Sequence, residues 1–526
     1  MRNSETHSEV AIVGAGPVGL TLAMLLRRHG VGVRVFEAHT GLSRHPKARG
    51  VSASTMETFH GLGIADAVRA VSLPADHVRF FRGESLVDLG AVLSAAGDET
   101  GASPHTPCPG VLCSQDRLEP VLAAGAVEAG ADLLFGARVV ELSESADAVE
   151  LRIGAGDWEG IFSADYVVGC DGARSRVRAH AGIALVGERD LARFLSVRFR
   201  APLGQAVRGR ESTSYFISGG KGGFLAIDND TEWIYQYPVD ADVDVETLSA
   251  APVELAALVR DAAGIPELAV EIADTMLWRM DACVAETFRV GRLLLAGDAA
   301  HQTPPTGGHG MNVGIADALT LAWQLAAVVQ RHAPEGLLDR YTEERHPVAS
   351  AVVQRSLDNG RKAYGIEDEL LLASGYPPAE PLPARGYEPA WEIGRRLPHA
   401  RVASESGQSA RRSAAPVSTA PVSAAPVSAA PVSTVHAEWG SFRVVAAGER
   451  AEWQAAVAGF AEAGEPRVTI GAVALADDAA VLAPRSILVR PDGHIAAVYT
   501  ADSGEKLTWL RSEIQRALRG SHSRLT

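Results

Sequence analysis

The chain has 526 residues, of which 47% are hydrophobic and 21% are charged, a balance typical of a globular enzyme with two or three domains. The formal net charge of −15 argues against binding to nucleic acid or to an anionic membrane surface. Four cysteines without metal-ligand spacing predict reduced thiols and no metal site. The sequence also has no signal region and no apolar run of membrane-spanning length, and together these features favour a cytoplasmic protein.

The first predicted element is a dinucleotide-binding loop between a strand and a helix. Val10–Val13 is an apolar run of strand length, and Gly14-Ala-Gly16-Pro17-Val-Gly19 follows it. Gly14 allows a tight turn, Gly16 lets the backbone approach a pyrophosphate, and Gly19 lets the next helix pack closely on the strand. The helix predicted to begin at Pro17 directs its N-terminal N–H groups at the phosphates.

A second predicted strand, Val31 to Glu37, completes this nucleotide-binding unit. Glu37 lies 18 residues after Gly19, close to the spacing at which an acid binds ribose hydroxyls. Because strand, loop, helix, strand and terminal acid are all in place, the pattern favours a nucleotide site over an ordinary glycine turn. Glu37 and Ala38 are its candidate ribose-side residues. The motif by itself does not distinguish NAD from FAD.

Two later strands also end in loops that carry an acid and a glycine. Residues 165–169 lead into Cys170-Asp171-Gly172, and residues 293–296 lead into Gly297-Asp298. The second loop continues through a stiff segment rich in proline and glycine, where backbone can lie against a flat ring. The apolar helix after it points its N-terminus at that ring and would stabilise negative charge on a reduced flavin. The candidate cofactor-binding residues of this segment are Pro305, Gly308, Met311 and Asn312. His301 is interpreted as a structural residue of the loop rather than as a base.

In this order, the three motifs resemble those of the aromatic-hydroxylase class of flavoprotein monooxygenases, the p-hydroxybenzoate hydroxylase-like family. The resemblance covers roughly the first 370 residues, which is more than one domain. It implies that Asp171 serves FAD and NAD(P)H together and that Asp298 binds the ribityl chain of FAD. Gln115 resembles the flavin-contacting glutamine of the family, and Lys47 stands where the family often has arginine.

The resemblance implies an FAD-dependent monooxygenase whose flavin is reduced by NADPH or NADH. Oxygen then adds at the flavin C4a to give a hydroperoxide, which hydroxylates an electron-rich aromatic ring. The long form of the chain resembles bacterial enzymes that tailor polyketide or other polycyclic aromatic products. The expected partners are an aromatic small molecule and O2, and the protein is expected to be a monomer or a homodimer.

Three alternatives remain open at this point. They are Baeyer–Villiger oxygenation next to a ketone, inactivation of an antibiotic by a related monooxygenase, and flavin binding without turnover. The sequence does not determine the substrate, the position of oxygenation or the catalytic base.

The implied fold is α/β, with a Rossmann-like FAD-binding domain formed by residues 1–184 and 285–398. Between these segments, residues 185–284 alternate apolar and polar residues between turns, which predicts an antiparallel substrate-binding sheet. Such a sheet would roof a flat aromatic substrate above the flavin.

Aromatic residues of this sheet are candidate pocket walls. Tyr215, Tyr235 and Tyr237 are the candidate catalytic residues there, and Pro305 of the third loop is a fourth. Trp233 and Phe224 are further candidate walls. For any single aromatic residue, an ordinary place in the core of the sheet is an equally good interpretation.

The C-terminal part divides into a linker and a small domain. In residues 399–436, prolines recur every five positions from Pro416 to Pro431 among small residues, which predicts an extended tether. Residues 437–520 resemble the thioredoxin-like domain carried by long members of the family. This segment contains no cysteine, so it does not perform disulfide chemistry, and a structural cap or an oligomer surface is expected.

Overall fold

The computed structural model describes most of the chain. The described residues are 6–43, 45–73, 79–95, 106–156, 158–240, 243–305, 308–362, 401–402, 432–433, 441–446, 450–461, 468–472, 486–500 and 503–519. The predicted linker, residues 399–436, lies outside them except for residues 401–402 and 432–433, which pair as two short antiparallel strands.

Twenty-four strands and eleven helices are found in the described ranges. The strands are β1 His7–Val13, β2 Val33–Glu37, β3 Gly50–Val51, β4 Arg79–Gly83, β5 Leu89–Ala95, β6 Val111–Leu112, β7 Asp132–Phe135, β8 Arg138–Glu144, β9 Val149–Ala155, β10 Trp158–Gly169, β11 Leu185–Arg200, β12 Ser214–Ile217, β13 Gly223–Ala226, β14 Glu232–Pro238, β15 Glu271–Ala285, β16 Arg289–Val290, β17 Leu293–Leu295, β18 His301–Gln302, β19 Arg401–Val402, β20 Val432–Ser433, β21 Phe442–Ala446, β22 Val468–Ala472, β23 Ser486–Val489 and β24 Ile495–Tyr499. The helices are α1 Pro17–Arg28, α2 Ala53–Gly61, α3 Ala65–Ala70, α4 Gln115–Glu128, α5 Arg176–His180, α6 Val245–Ser249, α7 Pro252–Ala263, α8 Gly310–Val329, α9 Asp339–Lys362, α10 Arg450–Ala461 and α11 Lys506–Leu518.

The first sheet has the strand order β16-β17-β10-β1-β2-β7, and β8 and β9 extend it from β10. The β17-β10-β1-β2-β7 pairs are all parallel. Strands buried on both faces need continuous apolar runs, and β1 and β17 supply them: Val10, Ile12 and Leu294 are fully buried. The predicted Rossmann-like sheet is therefore present, with α1 and α8 packed on one another beside it.

The expectation that the chain has no apolar run of membrane-spanning length is wrong for helix α8, which is long and apolar enough to pass a length-and-composition test for a membrane span. Its surroundings explain this composition, because 78% of its most apolar window is buried inside the protein. Ile315, Leu321 and Leu325 pack in the hydrophobic core around the first sheet. A helix that is apolar all round is expected when it is enclosed by protein.

The second sheet is larger than the segment predicted for it. Its strand order is β18-β15-β11-β14-β13-β12-β4-β5, so residues 79–95 add β4 and β5 to the strands of residues 185–284. Every pair is antiparallel except β12 with β4, which is parallel. Helix α7 covers one face through Leu255 and Val259, in a separate hydrophobic core.

The C-terminal residues form a four-stranded sheet with the order β22-β21-β23-β24. Strands β21 and β22 are parallel, whereas β23 is antiparallel to β21 and to β24. Helices α10 and α11 pack together beside this sheet. Its core includes Trp453 and Trp509, whose ring centroids are 5.7 Å apart.

A buried ionic cluster fastens this small sheet to the rest of the protein. Arg490 follows β23 and makes two hydrogen bonds to Glu344 of α9, at 2.8 and 2.7 Å. Its guanidinium also contacts Asp492 at 2.5 Å and lies 4.8 Å from the ring centroid of Trp323. The indole N–H of Trp323, in α8, donates to Asp492 at 3.0 Å. The tail is thus docked on α8 and α9.

Charge balance within this cluster predicts a large effect of Arg490→Met. Glu344 and Asp492 are each 3% exposed. Among the described residues, Arg490 is the only cation that contacts both, so its removal leaves two buried carboxylates without their shared partner. Breaking a buried pair costs about 3–5 kcal/mol. We expect a free energy of unfolding lowered by that amount in urea titrations.

Arg516→Met is the matched control, because Arg516 lies in the same small domain and pairs with Glu513 at the surface. Exposed pairs contribute about 1 kcal/mol or less. Equal losses for the two variants would contradict a stabilising role for the Arg490 cluster.

Candidate functional site

Three loops meet at one edge of the first sheet. The N–H of Cys170 donates to Val13 O at 2.8 Å, and the N–H of Ala296 donates to Gly169 O at 3.0 Å. The parallel pairing of β1, β10 and β17 therefore sets the predicted Gly14, Asp171 and Asp298 loops side by side. All three loops line one cleft.

The glycines of the first loop serve different purposes. Gly14 has φ +105°, and a Cβ atom on it would overlap the carbonyl oxygen of Cys170. A Cβ on Gly19 would overlap the carbonyl oxygen of Gly14, so this glycine allows the close approach of α1 to its own loop. Gly16 is different because no protein atom lies within 4 Å of its Cβ position. Pro17 follows it at the start of α1, with the open space of the cleft in front.

Glu37 and Ala38 lie at the end of β2 and line the same cleft. One carboxylate oxygen of Glu37 accepts from the N–H of Ala15 at 2.9 Å, and the other accepts from the N–H of His39 at 2.9 Å. The acid is therefore held against the glycine loop, at the edge where the predicted ribose would lie.

Asp298 belongs to a short 3-10 turn, Gly297–Ala299, directly after β17. Its side chain is exposed, but to the interior of the cleft. The surrounding protein raises the pKa of this carboxyl through burial, while His301 and Lys47 oppose the rise. The structure thus presents the Asp298 carboxyl towards a large cavity, which suits hydrogen bonding to hydroxyl groups of a ligand.

The third loop brings its candidates to the cleft. Pro305, Gly308, Met311 and Asn312 all line it, whereas residues 306–307 lie outside the described ranges. The amide of Asn312 is fully used within the protein. It accepts from Ser52 N–H at 2.9 Å and Thr55 O–H at 2.8 Å, and it donates to the carbonyls of Gly50 and Gly308. Its side chain shapes the loop, so only its backbone is left for a ligand.

Three further predicted residues also reach the cleft. Lys47 is exposed in it. Gln115 accepts from Ala48 N–H at 3.2 Å and donates to Glu119 at 2.6 Å. Asp171 accepts from the N–H groups of Arg176 and Val177 at the start of α5; burial raises its pKa, and these hydrogen bonds oppose the rise.

His301 lies behind the third loop and is fully buried. Its Nε2 is 2.6 Å from Asp317 of α8, and Arg345 of α9 donates to the same carboxylate at 2.8 Å. Although burial alone raises the pKa of Asp317, His301 and Arg345 lower it overall. The structural role predicted for His301 agrees with this position.

The candidate catalytic tyrosines lie on the far face of the second sheet. Tyr215 and Tyr235 are buried in the core beneath α7, and Tyr237 packs against that core. The hydroxyl of Tyr215 donates to Asn229 at 2.7 Å, and the hydroxyl of Tyr235 donates to Lys221 O at 2.5 Å. Burial raises both pKa values. Trp233 and Phe224 belong to the same core. Of the four catalytic candidates, Pro305 and Tyr215 border the cleft, but Tyr215 is fully buried and its hydroxyl bonds within the core.

The residues that face the cleft alternate with those tyrosines along the strands. Phe194 and Trp278 stack with ring centroids 4.7 Å apart, and Ser196, Gln236 and Met276 line the same wall. The alternation of buried Leu195, Val197 and Phe199 with these positions was the available signal. Successive side chains of a strand point to opposite faces, so choosing the wrong face displaces every candidate together.

The cleft between the two sheets has a volume of about 3170 Å³. Sites for drug-sized ligands are typically about 300–1,000 Å³, so this one has room for an extended dinucleotide and a second ligand. The open Gly16, the acid at Glu37 and the cleft-facing acid at Asp298 fit FAD, whose phosphates and hydroxyl chains need such groups at separated points.

A family model described as an FAD binding domain matches residues 7–356. The chain belongs to this FAD-binding family. It is an FAD-dependent monooxygenase, as its relatives are, and NAD(P)H is the usual reductant in the family. The resemblance proposed from the three loops is confirmed.

Two relatives from Streptomyces illustrate the similarity of this flavoprotein. The tetracenomycin A2 monooxygenase-dioxygenase of Streptomyces glaucescens is 30% identical, over 97% of this chain and 96% of the relative. The aklavinone 12-hydroxylase RdmE of Streptomyces purpurascens is 36% identical, over 66% of this chain and 68% of the relative. Among solved structures, a ternary complex of aklavinone-11 hydroxylase with FAD and aklavinone has a TM-score of 0.82 and 31% identity, with 98% of this chain and 100% of that chain covered.

Because Gly14 and Gly16 have different surroundings, their alanine variants are expected to have different defects. Gly16→Ala places its methyl group in open cleft, so we expect normal thermal stability of the apoprotein with at least about tenfold weaker FAD binding. Gly14→Ala clashes with backbone at a positive φ, so we expect destabilisation by more than about 1 kcal/mol. Calorimetry of apoprotein and fluorescence titration with FAD separate the two effects. Normal FAD affinity in Gly16→Ala would show that the flavoprotein binds its phosphates elsewhere.

Asp298→Ala is expected to weaken FAD binding at least about tenfold, because hydrogen bonds to a charged group contribute about 1.5–3 kcal/mol. The unfolding temperature of the apoprotein should change little, since the carboxylate faces the cavity. Asp66→Ala, at the exposed start of α3, is the control and should keep full affinity. Unchanged flavin occupancy and turnover in Asp298→Ala would contradict its assigned role.

Proposed function

We propose that this flavoprotein hydroxylates a phenolic, polycyclic aromatic compound of the polyketide type. The supporting observation is the wall of the cleft opposite the FAD loops. It combines the stacked Phe194 and Trp278 with the hydrogen-bonding groups of Ser196 and Gln236. A flat, multi-ring ligand with oxygen substituents matches a surface that is apolar in area and polar at a few points.

The relatives' names support the same substrate class. Aklavinone and the tetracenomycins are named as the compounds on which these relatives act or which they bind. Bound FAD supplies the oxygen-activating chemistry. The protein's own contribution is to hold the ring in the cleft, exclude water from it and accept the phenolic proton.

The Asp171 loop is proposed to serve NADPH or NADH as well as FAD. It lies at the cleft rim with the cations Arg174 and Arg176, which suits an anionic dinucleotide. O2 is the proposed co-substrate. We further propose a cytoplasmic enzyme that is a monomer or a homodimer, and that binds neither nucleic acid nor membrane.

The domain organisation is proposed as predicted, with β4 and β5 joining the substrate domain. The small C-terminal sheet is proposed to be thioredoxin-like, because two parallel strands followed by an antiparallel hairpin, with helices alongside, have that arrangement. The four cysteines of the chain precede this segment. Its proposed role is a structural cap on α8 and α9, supported by the buried contacts of Arg490.

The function is tested by NAD(P)H consumption in the presence of a panel of polycyclic phenols. We expect at least one phenol to accelerate consumption and to gain one oxygen atom as a ring hydroxyl, identified by mass and NMR. A lactone or ester product from a ketone would instead indicate a Baeyer–Villiger reaction. Consumption of finished antibiotics alone would indicate inactivation. Acceleration by no aromatic compound would contradict the proposal.

A further inference from the structure

The cleft-facing side of the second sheet carries an unbroken row of hydrogen bonds. The indole N–H of Trp278 donates to Gln236 Oε1 at 2.8 Å, and Gln236 Nε2 donates to Ser196 Oγ at 2.9 Å. Ser196 Oγ is 2.7 Å from His45 Nε2, and His45 Nδ1 is 3.1 Å from Asp274 Oδ2. All five residues line the cleft.

The chemistry of the end groups gives this row one direction. Trp278 can only donate, so the amide of Gln236 must present its oxygen to Trp278 and its N–H to Ser196. A carboxylate can only accept, so His45 must carry its proton on Nδ1 and donate to Asp274. Nε2 of the neutral ring then accepts from the Ser196 hydroxyl. Each donor therefore points towards Asp274, and hydrogen bonds in such a chain polarise one another in the same sense.

Exposure distinguishes the two ends of the His45–Asp274 pair. The side chain of His45 is 6% exposed, whereas that of Asp274 is 51% exposed. Among the described residues, the only side-chain hydrogen bond of Asp274 is that of Oδ2 to His45, so Oδ1 is left for a ligand. The row thus ends in the Asp274 carboxylate, which His45 holds through Oδ2 and which is open to the cleft at Oδ1.

His45 also connects this carboxylate to the FAD side of the cleft. It stands two residues before Lys47, and the N–H of Ala48 in the same loop is held by Gln115 at 3.2 Å. The pair therefore joins the loop on the FAD side to β15 of the substrate sheet. On β15, Asp274 precedes Trp278 by four residues on the same face, roughly 13 Å at about 3.3 Å per residue, so a ligand lying against Phe194 and Trp278 must extend over several fused rings to reach Asp274.

We propose that Asp274 accepts the phenolic proton of the substrate and that His45 positions it through this hydrogen-bonded row. In the step, the O–H bond of the phenol breaks and an O–H bond forms on Asp274 Oδ1. The electron pair stays on the phenolate oxygen and enriches the ring that is oxygenated. The proton then passes to water, because Asp274 is half exposed. The inference rests on the proposed phenolic substrate.

Other charged groups around His45 set the electrostatic background. Burial lowers the pKa of His45, Asp274 opposes that effect, and Lys47 and Arg198 add to it. Arg198 is itself paired with Glu232 at 3.2 Å. The lowered pKa favours the neutral His45 ring that the direction of the row requires.

The first experiment measures binding and needs no turnover. The FAD-loaded enzyme is titrated with a hydroxyanthraquinone that has one free hydroxyl and with its O-methyl ether. We expect the wild type to prefer the phenol by at least about tenfold, because the ether leaves the carboxylate without a donor. Asp274→Asn should lose most of this preference. Glu271→Gln, on the same strand but outside the cleft lining, should keep it.

The second experiment measures product formed per NAD(P)H consumed, at one pH, with a phenol that the wild type hydroxylates. Asp274→Asn should form less product per NAD(P)H consumed, because no carboxylate accepts the phenolic proton. His45→Leu removes the donor that holds Asp274 in place, so it should lose both the preference for the phenol and the coupling. His45→Gln, which can still donate, should restore both towards the wild type.

The outcomes separate the two proposals. If the wild type binds neither anthraquinone and hydroxylates no phenol, the proposed substrate class fails and this inference with it. If the wild type hydroxylates phenols but Asp274→Asn keeps both the binding preference and the coupling, only the role of Asp274 is overturned. An unchanged preference and coupling in His45→Leu would overturn the positioning role of His45.

Discussion

The parallel pairing of β10 with β1 on one side and with β17 on the other is the constraint on which the cofactor site depends. Since the carboxyl ends of parallel strands lie at the same edge, residues 14, 171 and 298 meet although they are far apart in the chain. The ladder bonds at Val13 and Gly169 fix this register. A shift by one residue would turn each strand's side chains to the opposite face and separate Asp298 from the glycine loop.

The second sheet completes the site by using its two faces differently. One face is closed by α7 over an aromatic core, which makes the sheet a rigid wall. The other face carries fewer aromatic residues but places Phe194, Trp278 and a polar row against the cleft. One side of these strands thus packs in a core, and the opposite side faces the ligand cleft. The long strands β11 and β15 carry this wall up to the FAD loops, where β15 pairs with β18 of the third loop.

The C-terminal sheet is linked to the site through two helices, and none of its described residues lines the cleft. Helix α8 begins at the third loop and reaches Trp323, which bonds to Asp492 of the small sheet. Helix α9 carries Glu344, bonded to Arg490, and Arg345, bonded to Asp317 behind the same loop. The docked tail and the cofactor loop therefore share two helices.

The local sequence determined the glycine loop, the strands around it, the start of α8 and the elements of the C-terminal sheet, because each depends on short-range features such as apolar runs, glycine freedom and helix caps. Asn312, a predicted cofactor-binding residue, nevertheless uses its side-chain amide in bonds to protein groups. Only the tertiary structure decided which face of the second sheet meets the cleft, and so placed Tyr215 and Tyr235 in a core and His45 beside Asp274, 229 residues away. The alternation of side chains shows that each strand has two faces, but it does not show which face meets the cleft. Only the packing of one face against α7 decides this.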